Sequence, residues 1–407
     1  MSETTVEASV PVDDRSGESE DDVIGRLGAQ RANVTATDWT IETLITQMIK
    51  GRLDLDPSFQ RRAAWTTALK SKFIESTLLS YPIPQIVLAE KLDRPGHFIV
   101  IDGKQRLLAL RQFYAGLDEY ADDKFKSYRL STVTVIDAIK NFTIARLKRE
   151  RPDLFDTFET HTIRTVVIRN WGTEDFLYTL FLRLNTGSVP LSPQELRQAL
   201  VPGPFVQFAE EASGDSPGLQ RLLGNRGPDR RMVDAEVLVR MIGLRSPIKY
   251  RGNLKDFLDR VCKHYNSNWD QLEGGVLQLV ENMEKAIEAV YQVFGDGAAC
   301  RKWTTNKYER AFNRAIFDFQ VGALLDGNAA RQAFIDAGDD LVARYKMLCD
   351  LDSDFARSIT TTTKTNAAFS ERLSKWYDIF EGVTGFAPTW PQAIDRVESF
   401  GEEPEGE

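Results

Sequence analysis

The spacing of hydrophobic residues changes near residue 204 of this 407-residue chain. Before that point, helical spacing over 39–53 and 66–80 is mixed with strand-like runs over 81–92, 98–102 and 162–170, and another strand is expected from Ser127 to Ile136. On the second helix, Leu69, Phe73, Ile74 and Leu78 are expected to face the core. Beyond residue 204 the helical spacing continues without strand signals, in segments 232–244, 254–265, 275–295, 307–325, 330–348 and 366–383. The pattern predicts an α+β fold class, a small α/β domain followed by an all-α helical bundle.

A hairpin and the helix after it are predicted around the stretch HFIVIDGKQRLLALRQFYAG, residues 97–116. Pro95 and Gly96 suit the two central positions of a type II turn between the strands. The second strand ends at Asp102, and a helix from about Lys104 to Tyr114 is expected to pack against the hairpin.

Another helix start is predicted at SPQELRQAL, residues 192–200. Ser192 suits the N-cap, Pro193 suits the first helical position, and Glu195 completes a capping box. The helix is therefore expected to begin at Pro193.

Charge divides the chain into a basic body and acidic ends. Residues 1–25 carry a net charge of −7 and residues 395–407 carry −5, which leaves +3 for the body although the whole chain carries −9. We expect an acidic disordered tail over 1–35, an α/β domain over 36–203, a helical domain over 204–388 and an acidic C-terminal tail over 389–407. The negative net charge of the whole chain therefore does not argue against a nucleic-acid partner.

Composition excludes several classes of protein. The chain has no apolar run of about 18 residues, and its acidic start lacks the apolar core of a secretory signal, so we expect a cytoplasmic protein without membrane contact. Its cysteines and histidines are too scattered for a zinc site or a histidine-based nucleophile: Cys262, Cys300, Cys349, His97, His161 and His264.

The junction from Asp102 to Arg106 is the first candidate site. A strand that turns through glycine into a helix presents backbone N–H groups and the positive end of a helix dipole to an anion. Lys104 and Arg106 add charge for phosphate oxygens, Gln105 is suited to orienting a water, and Asp102 to holding Mg²⁺ or accepting a proton. The Walker pattern is absent, so a charged helix start without a ligand is the alternative interpretation.

Two further segments could contribute polar groups to the same site. In DPSFQRRAAW, Gln60 and Arg61 precede a helix, and adjacent arginines in an extended segment point in opposite directions, so at most one of them serves a given site. In RLNTGSVPL, Asn185 and Thr186 belong to a polar loop that could line a pocket. A plain surface loop is the alternative for both segments.

A basic segment over 221–252 could contact a phosphate backbone. It holds eight bases and three acids, and Arg226, Arg230 and Arg231 lie in its densest part. The alternative is that these arginines pair with local acids within the helical bundle.

Four of these segments occur in an order that resembles a known family. DPSFQRRAAW, KSKFIESTLLSYPIPQIVLAE, FIVIDGKQRLLALRQFYAG and RLNTGSVPLSPQELRQAL are similar to the N-terminal domain family of GmrSD-type modification-dependent restriction systems. The resemblance extends over roughly residues 36–380, and it implies a ParB/sulfiredoxin-like NTP-binding domain with a role in defence against foreign DNA.

The family motif Asp-Gly-Gln-Gln-Arg, associated with nucleotide hydrolysis, corresponds to residues 102–106. Lys104 replaces the first glutamine of the motif, which favours phosphate binding but leaves turnover open. The Gln-Arg pair of the early motif corresponds to Gln60 and Arg61. Many relatives carry a C-terminal HNH nuclease, and this chain, with no histidine after His264, resembles a stand-alone member.

Together, these features predict a nucleotide-binding sensor or regulatory subunit that acts on DNA in prokaryotic restriction or phage defence. It would hydrolyse an NTP with Mg²⁺, Asp102 and Gln105 taking the catalytic roles. Lys104, Arg106 and the other phosphate-binding groups would hold the nucleotide, and a separate nuclease subunit would cut the DNA. A ParB-like DNA-binding adaptor without catalysis is the main alternative and a nuclease the lesser one, while oligomeric state and nucleotide identity stay open.

Overall fold

The computed structural model describes residues 11–12, 32–53, 55, 65–173, 176–177, 180, 192–361 and 363–396. The chain divides into two compact units. The α/β unit comprises Val23–Leu200, and the helical unit comprises Val201–Glu407 together with Met1–Asp22.

The α/β unit contains a four-stranded sheet in the order β1-β4-β2-β3. Strand β4 pairs antiparallel with β1 and parallel with β2, and β2 pairs antiparallel with β3. The elements are β1 (Asn33–Thr40), α1 (Ile41–Ile49), α2 (Thr67–Leu78), β2 (Ile86–Glu90), β3 (Phe98–Asp102), α3 (Lys104–Tyr114), α4 (Ile144–Glu150), α5 (Pro152–Thr160), β4 (Thr162–Arg169) and α6 (Pro193–Leu200).

Strands β2 and β3 are buried on both faces, as their nearly continuous apolar sequences require. Alternate residues of β2 and β3, such as Leu88 and Val100, join the core formed with helices α1, α2, α3 and α5. Their neighbours, such as Ala89 and Ile101, join a smaller core with Leu196 of α6. The end of β3 is therefore fixed between two layers, and that fixes the start of α3.

Several predicted elements of this unit are confirmed. Helix α3 has the predicted bounds, and the type II turn is present, with Gly96 at φ +78° and the N–H of His97 donating to the carbonyl of Arg94 at 3.1 Å. The capping box of α6 is formed, because the N–H of Ser192 donates to Glu195 Oε2 at 2.6 Å and the N–H of Glu195 donates to Ser192 Oγ at 3.1 Å.

The prediction of a strand over 127–136 is wrong. The backbone N–H groups that a neighbouring strand would accept are bound instead by a buried carboxylate. Glu75 on α2 accepts backbone N–H groups of Thr134, Val135 and Ile136 at 2.7–2.9 Å. The segment is therefore held as a loop against α2.

Two smaller expectations also differ from the structure. Leu69 is 48% exposed, since the buried side of α2 is shifted to Lys70, whose Nζ donates to Gln112 Oε1 on α3 at 2.7 Å. Strand β1 was not predicted, because its residues are mostly exposed and do not alternate between apolar and polar. It begins within the segment that was expected to be disordered.

The helical unit contains ten helices over its described residues. They are α7 (Pro204–Gly214), α8 (Pro217–Leu223), α9 (Val233–Arg245), α10 (Leu254–Ser267), α11 (Trp269–Phe294), α12 (Arg314–Gln320), α13 (Asn328–Asp336), α14 (Gly338–Leu351), α15 (Ser353–Ser358) and α16 (Asn366–Thr384). The predicted helical bundle is confirmed in outline, with α13 and α14 replacing one expected helix.

The helix expected from residue 307 begins only at Arg314. A short hairpin, β5 (Trp303–Thr304) and β6 (Lys307–Tyr308), precedes it. After the hairpin, the N–H of Phe312 donates to the carbonyl of Pro11 at 2.8 Å, so the N-terminal segment of the chain pairs with the helical unit here.

A buried ion cluster lies at the centre of the helical unit. Arg240 Nη2 and Arg372 Nη2 donate to Asp318 Oδ2 at 2.6 and 3.4 Å, and all three side chains are at most 1% exposed. Burial lowers the pKa of Arg372 to about 10, although the Asp318 carboxylate acts in the opposite direction. The cluster therefore places two charged guanidinium groups around a single carboxylate.

We expect Asp318→Ala to lower the free energy of unfolding of the helical unit by about 3–5 kcal/mol, because it leaves two buried guanidinium groups without their carboxylate. Urea unfolding followed by tryptophan fluorescence measures this change. The exposed pair of Asp354 and Arg357 provides the matched control, since Asp354→Ala should cost at most about 1 kcal/mol. Equal effects of the two variants would contradict the assigned role of Asp318.

Glu75 should make the stability of the α/β unit depend on pH. Burial raises the pKa of Glu75, but the hydrogen bonds from Ile136, Thr134 and Val135 outweigh it and hold the pKa below its ordinary value of 4.5. The stabilisation is therefore complete above pH 4.5 and is lost as the pH falls through the lowered pKa.

Glu75→Gln should accordingly cost about 1.5–3 kcal/mol at neutral pH, and the difference from the unmodified protein should shrink in acid. Urea unfolding at a series of pH values measures it, with the surface variant Glu150→Gln as control. A difference that stays constant from neutral pH to pH 3 argues against this role.

Candidate functional site

The turn between β3 and α3 is shaped by a bulge and a glycine. The register of β2 and β3 shifts so that Val87 pairs with Asp102 and Leu88 with Val100, which leaves Ile101 as the extra residue. Gly103 then adopts a left-handed conformation, with φ +96°, and begins α3 without a side-chain cap. The first turn of α3 also contains no acidic residue that would offset the positive end of the helix dipole.

Arg106 is the buried centre of this turn. Its Nη2 donates to Asp102 Oδ2 at 2.8 Å and to the carbonyl of Gln85 at 2.9 Å, just before β2. The Arg106 side chain is 9% exposed and that of Asp102 is 25% exposed. Arg106 therefore fixes the carboxylate of Asp102 and joins the two ends of the hairpin.

One polar atom of the turn lacks a partner among the described residues. Arg106 Nε is buried and makes no hydrogen bond with them. A Cβ placed on Gly103 would lie 3.3 Å from this Nε and 2.9 Å from Cγ1 of Ile86. Ile86 and Arg106 therefore pack closely on the bare Cα of Gly103, where a side chain would not fit. The donor set of the turn suits an anion.

Gln105 connects this turn with the end of the DPSFQRRAAW motif. Its Oε1 accepts the N–H of Trp65 at 3.3 Å, and Trp65 packs against Phe73 of α2. The side-chain oxygen of Gln105 is therefore engaged. Lys104 and Gln105 are both half-buried at the start of α3.

The structure brings together Asp102, Gly103, Lys104, Gln105 and Arg106. The other predicted phosphate-binding residues, Gln60, Arg61, Asn185 and Thr186, lie outside the described residues. Sequence reasoning missed the carbonyl of Gln85 and the N–H of Trp65. The only signal for Gln85 was its place after two prolines, which hold the chain extended before β2.

The described residues form no ready-made metal site. They contain no group of three or more His, Cys, Asp or Glu side chains that could hold an ion. At the turn, Asp102 is a single carboxylate, and its Oδ2 is already paired with Arg106.

Four of the eight bases in the segment over 221–252 form ion pairs with described acidic residues. Arg221 pairs with Asp296, Arg245 with Asp326 and Lys249 with Asp395, while Arg240 is buried on Asp318. The predicted DNA-contacting residues Arg226, Arg230 and Arg231 are exposed, in a loop that Asp229 organises by accepting the N–H groups of Arg231 and Val233.

Comparison with known proteins identifies the domain that contains the Asp102–Arg106 turn. Residues 41–202 match the family model described as the GmrSD restriction endonuclease N-terminal domain. The chain carries a GmrSD N-terminal domain. The matched range contains every element of the α/β unit from α1 to α6, so the turn belongs to the GmrSD domain.

The other comparisons add no relatives. Neither the curated proteins nor the solved structures gave a match to this chain. Among the helices that the structure describes, none is long and apolar enough to cross a membrane.

An alanine in the left-handed conformation costs about 1–2 kcal/mol. We expect Gly103→Ala to destabilise the GmrSD domain by more than that, because the new Cβ would also overlap the side chain of Ile86. Gly96→Ala is the matched control, since Gly96 has a similar φ of +78° but open space around it. Urea unfolding compares the two. If both variants lower the free energy of unfolding equally, the close approach of Ile86 to Gly103 does not contribute to stability.

Proposed function

We propose that this protein is a nucleotide-binding component of a restriction or phage-defence system, and that its GmrSD domain binds the phosphates of an NTP at the Asp102–Arg106 turn. The observation that carries the proposal is the buried Arg106 Nε, which lies beside the bare Cα of Gly103 and has no hydrogen-bond partner in the part of the chain that the structure describes. The match to a restriction endonuclease domain supplies the biological setting.

The turn has the parts that phosphate binding needs. Helix α3 directs the positive end of its dipole at this point, and no side chain caps its start. Lys104 supplies a cation at the first helical position. Arg106 acts mainly as a positioning residue, because its Nη2 already donates hydrogen bonds to Asp102 and to the carbonyl of Gln85.

Hydrolysis is the further part of the proposal. Asp102, held by Arg106, would accept a proton from the attacking water, and Gln105 would orient that water through its amide group. When bound with the nucleotide, Mg²⁺ would neutralise phosphate charge; Asp102 is the residue that would hold it, as the alternative to accepting the proton. The ParB/sulfiredoxin-like assignment of the core belongs to the same proposal, as do the cytoplasmic location and a separate HNH-type nuclease partner.

A second function, DNA binding without turnover, is favoured by the basic loop. Arg230 and Arg231 are exposed on a loop that Asp229 holds in one conformation, which suits contact with a phosphate backbone. If binding is lost on reversing the charges of Arg230 and Arg231, while Asp102→Ala has no effect, the protein is a DNA-binding adaptor.

We expect Lys104→Ala to weaken NTP binding by about tenfold or more, because a charge-assisted hydrogen bond to phosphate contributes roughly 1.5–3 kcal/mol. Calorimetric titration with ATP and with GTP measures this. Lys72→Ala, which removes an exposed lysine on α2, is the matched control and should bind as the unmodified protein does.

The turnover assay separates binding from hydrolysis. Phosphate release is measured with and without DNA, using modified and unmodified duplexes. Equal rates for the unmodified protein and Asp102→Ala would refute the catalytic role of Asp102, and equal NTP affinity for Lys104→Ala and Lys72→Ala would refute the phosphate site.

A further inference from the structure

The β5–β6 hairpin of the helical unit is a basic projection that the sequence pattern did not predict. Its tip is the two-residue turn Thr305–Asn306, which is exposed together with Lys307. Lys302 lies just before β5, and Arg310, also exposed, lies just after β6. Bases therefore lie on both arms of the hairpin.

The hairpin is held against helix α14. Asp350 on α14 accepts the indole N–H of Trp303 at 2.9 Å and the backbone N–H of Thr305 at 3.1 Å. Lys346, one turn earlier, lies 4.6 Å from the ring centroid of Trp303 and 5.8 Å from that of Tyr308. The aromatic rings of the hairpin therefore pack on α14 and leave its polar tip exposed.

The turn is also strained. Thr305 has φ +34°, a left-handed conformation that a β-branched residue rarely adopts. The hydrogen bond from its N–H to Asp350 helps to keep it there. Such strain is characteristic of segments whose shape serves a function, because an unstrained glycine turn would be available otherwise.

The charge of the hairpin is compensated only in part. Over 301–310 the chain has four bases and one acid, Glu309. Lys302, Lys307 and Arg310 form no ion pair with any residue in the described part of the chain, and Asp350, whose carboxylate accepts from Trp303 and Thr305, adds one further negative charge. The surface is thus a cationic ridge with a small polar tip.

We propose that the β5–β6 hairpin is a contact surface for duplex DNA, with its tip in a groove and with Lys302, Lys307 and Arg310 on the flanking phosphates. The proposal rests on the proposed function only in taking DNA as the partner; it does not depend on the nucleotide site. A two-stranded ribbon fits a DNA groove, and cations on its two arms are positioned for phosphates on either side.

Duplex DNA suits the hairpin better than a single strand. Binding of a single strand relies on bases stacking on accessible aromatic faces. Here Lys346 lies over the Trp303 ring, and the Trp303 and Tyr308 rings pack against each other with their centroids 5.0 Å apart. The exposed groups are instead the amide of Asn306 and the cations of Lys307 and Arg310, with Lys302 half-buried beside them. These groups suit groove edges and phosphates.

The central experiment measures binding of a short mixed-sequence duplex to the full chain over a range of salt concentrations, without nucleotide. Lys307→Glu with Arg310→Glu should weaken binding at least tenfold at low salt and reduce the slope of log K against log salt by about 2. Lys148→Glu with Lys285→Glu, at exposed lysines elsewhere, makes the same change in net charge and should alter affinity less than threefold.

Asp350→Ala distinguishes a shaped contact from simple charge attraction. Removing an acid beside a cationic surface should tighten binding if only net charge matters. We expect it instead to weaken binding severalfold, because the hairpin loses the two hydrogen bonds that hold Trp303 and Thr305.

Several results would overturn the proposal: no duplex binding by the unmodified protein, equal losses in the two charge-reversed variants, or tighter binding by Asp350→Ala. A single strand of the same length that binds more tightly than the duplex would overturn it as well. NTP affinity measured on the same preparations should be unchanged in the hairpin variants, so failure of the DNA surface and failure of the nucleotide site can be told apart.

Discussion

A guanidinium group remains charged when it is buried, so the fold must provide acceptors around it. In the GmrSD domain, Arg106 is placed between the carboxylate of Asp102 and the carbonyl of Gln85. In the helical unit, Arg240 and Arg372 converge on Asp318. The shape of the β3–α3 turn follows from the first arrangement, because the bulge and the left-handed glycine bring Asp102 and Arg106 into reach of each other.

Much of the fold could be predicted from local sequence. The bounds of α3, the Pro95–Gly96 turn and the capping box at Ser192 depend on neighbouring residues, and all three are as predicted. The errors arose where a distant side chain decides the outcome. Glu75 turned an expected strand into a loop, and Asp350 holds a hairpin where helical spacing suggested a helix.

The candidate site was predicted in part, for the same reason. The clustering of polar groups from Asp102 to Arg106 is visible in the sequence, since they are consecutive. The partner of Arg106 at Gln85 is not, because a backbone carbonyl carries no sequence signal and becomes a partner only when β2 and β3 pair. The structure also shows that Arg106 positions Asp102, and that its Nε has no hydrogen-bond partner among the described residues.

The pairing of Pro11 with Phe312 has a consequence for how the chain is made. A segment near the start of the chain adds to a unit whose other residues begin at Val201, so the α/β unit is an insertion within the helical one. During synthesis the inserted unit, complete by Leu200, can fold first. Pro11 and Val12 can pair only after Phe312 has left the ribosome, so this part of the helical unit is completed after the α/β unit.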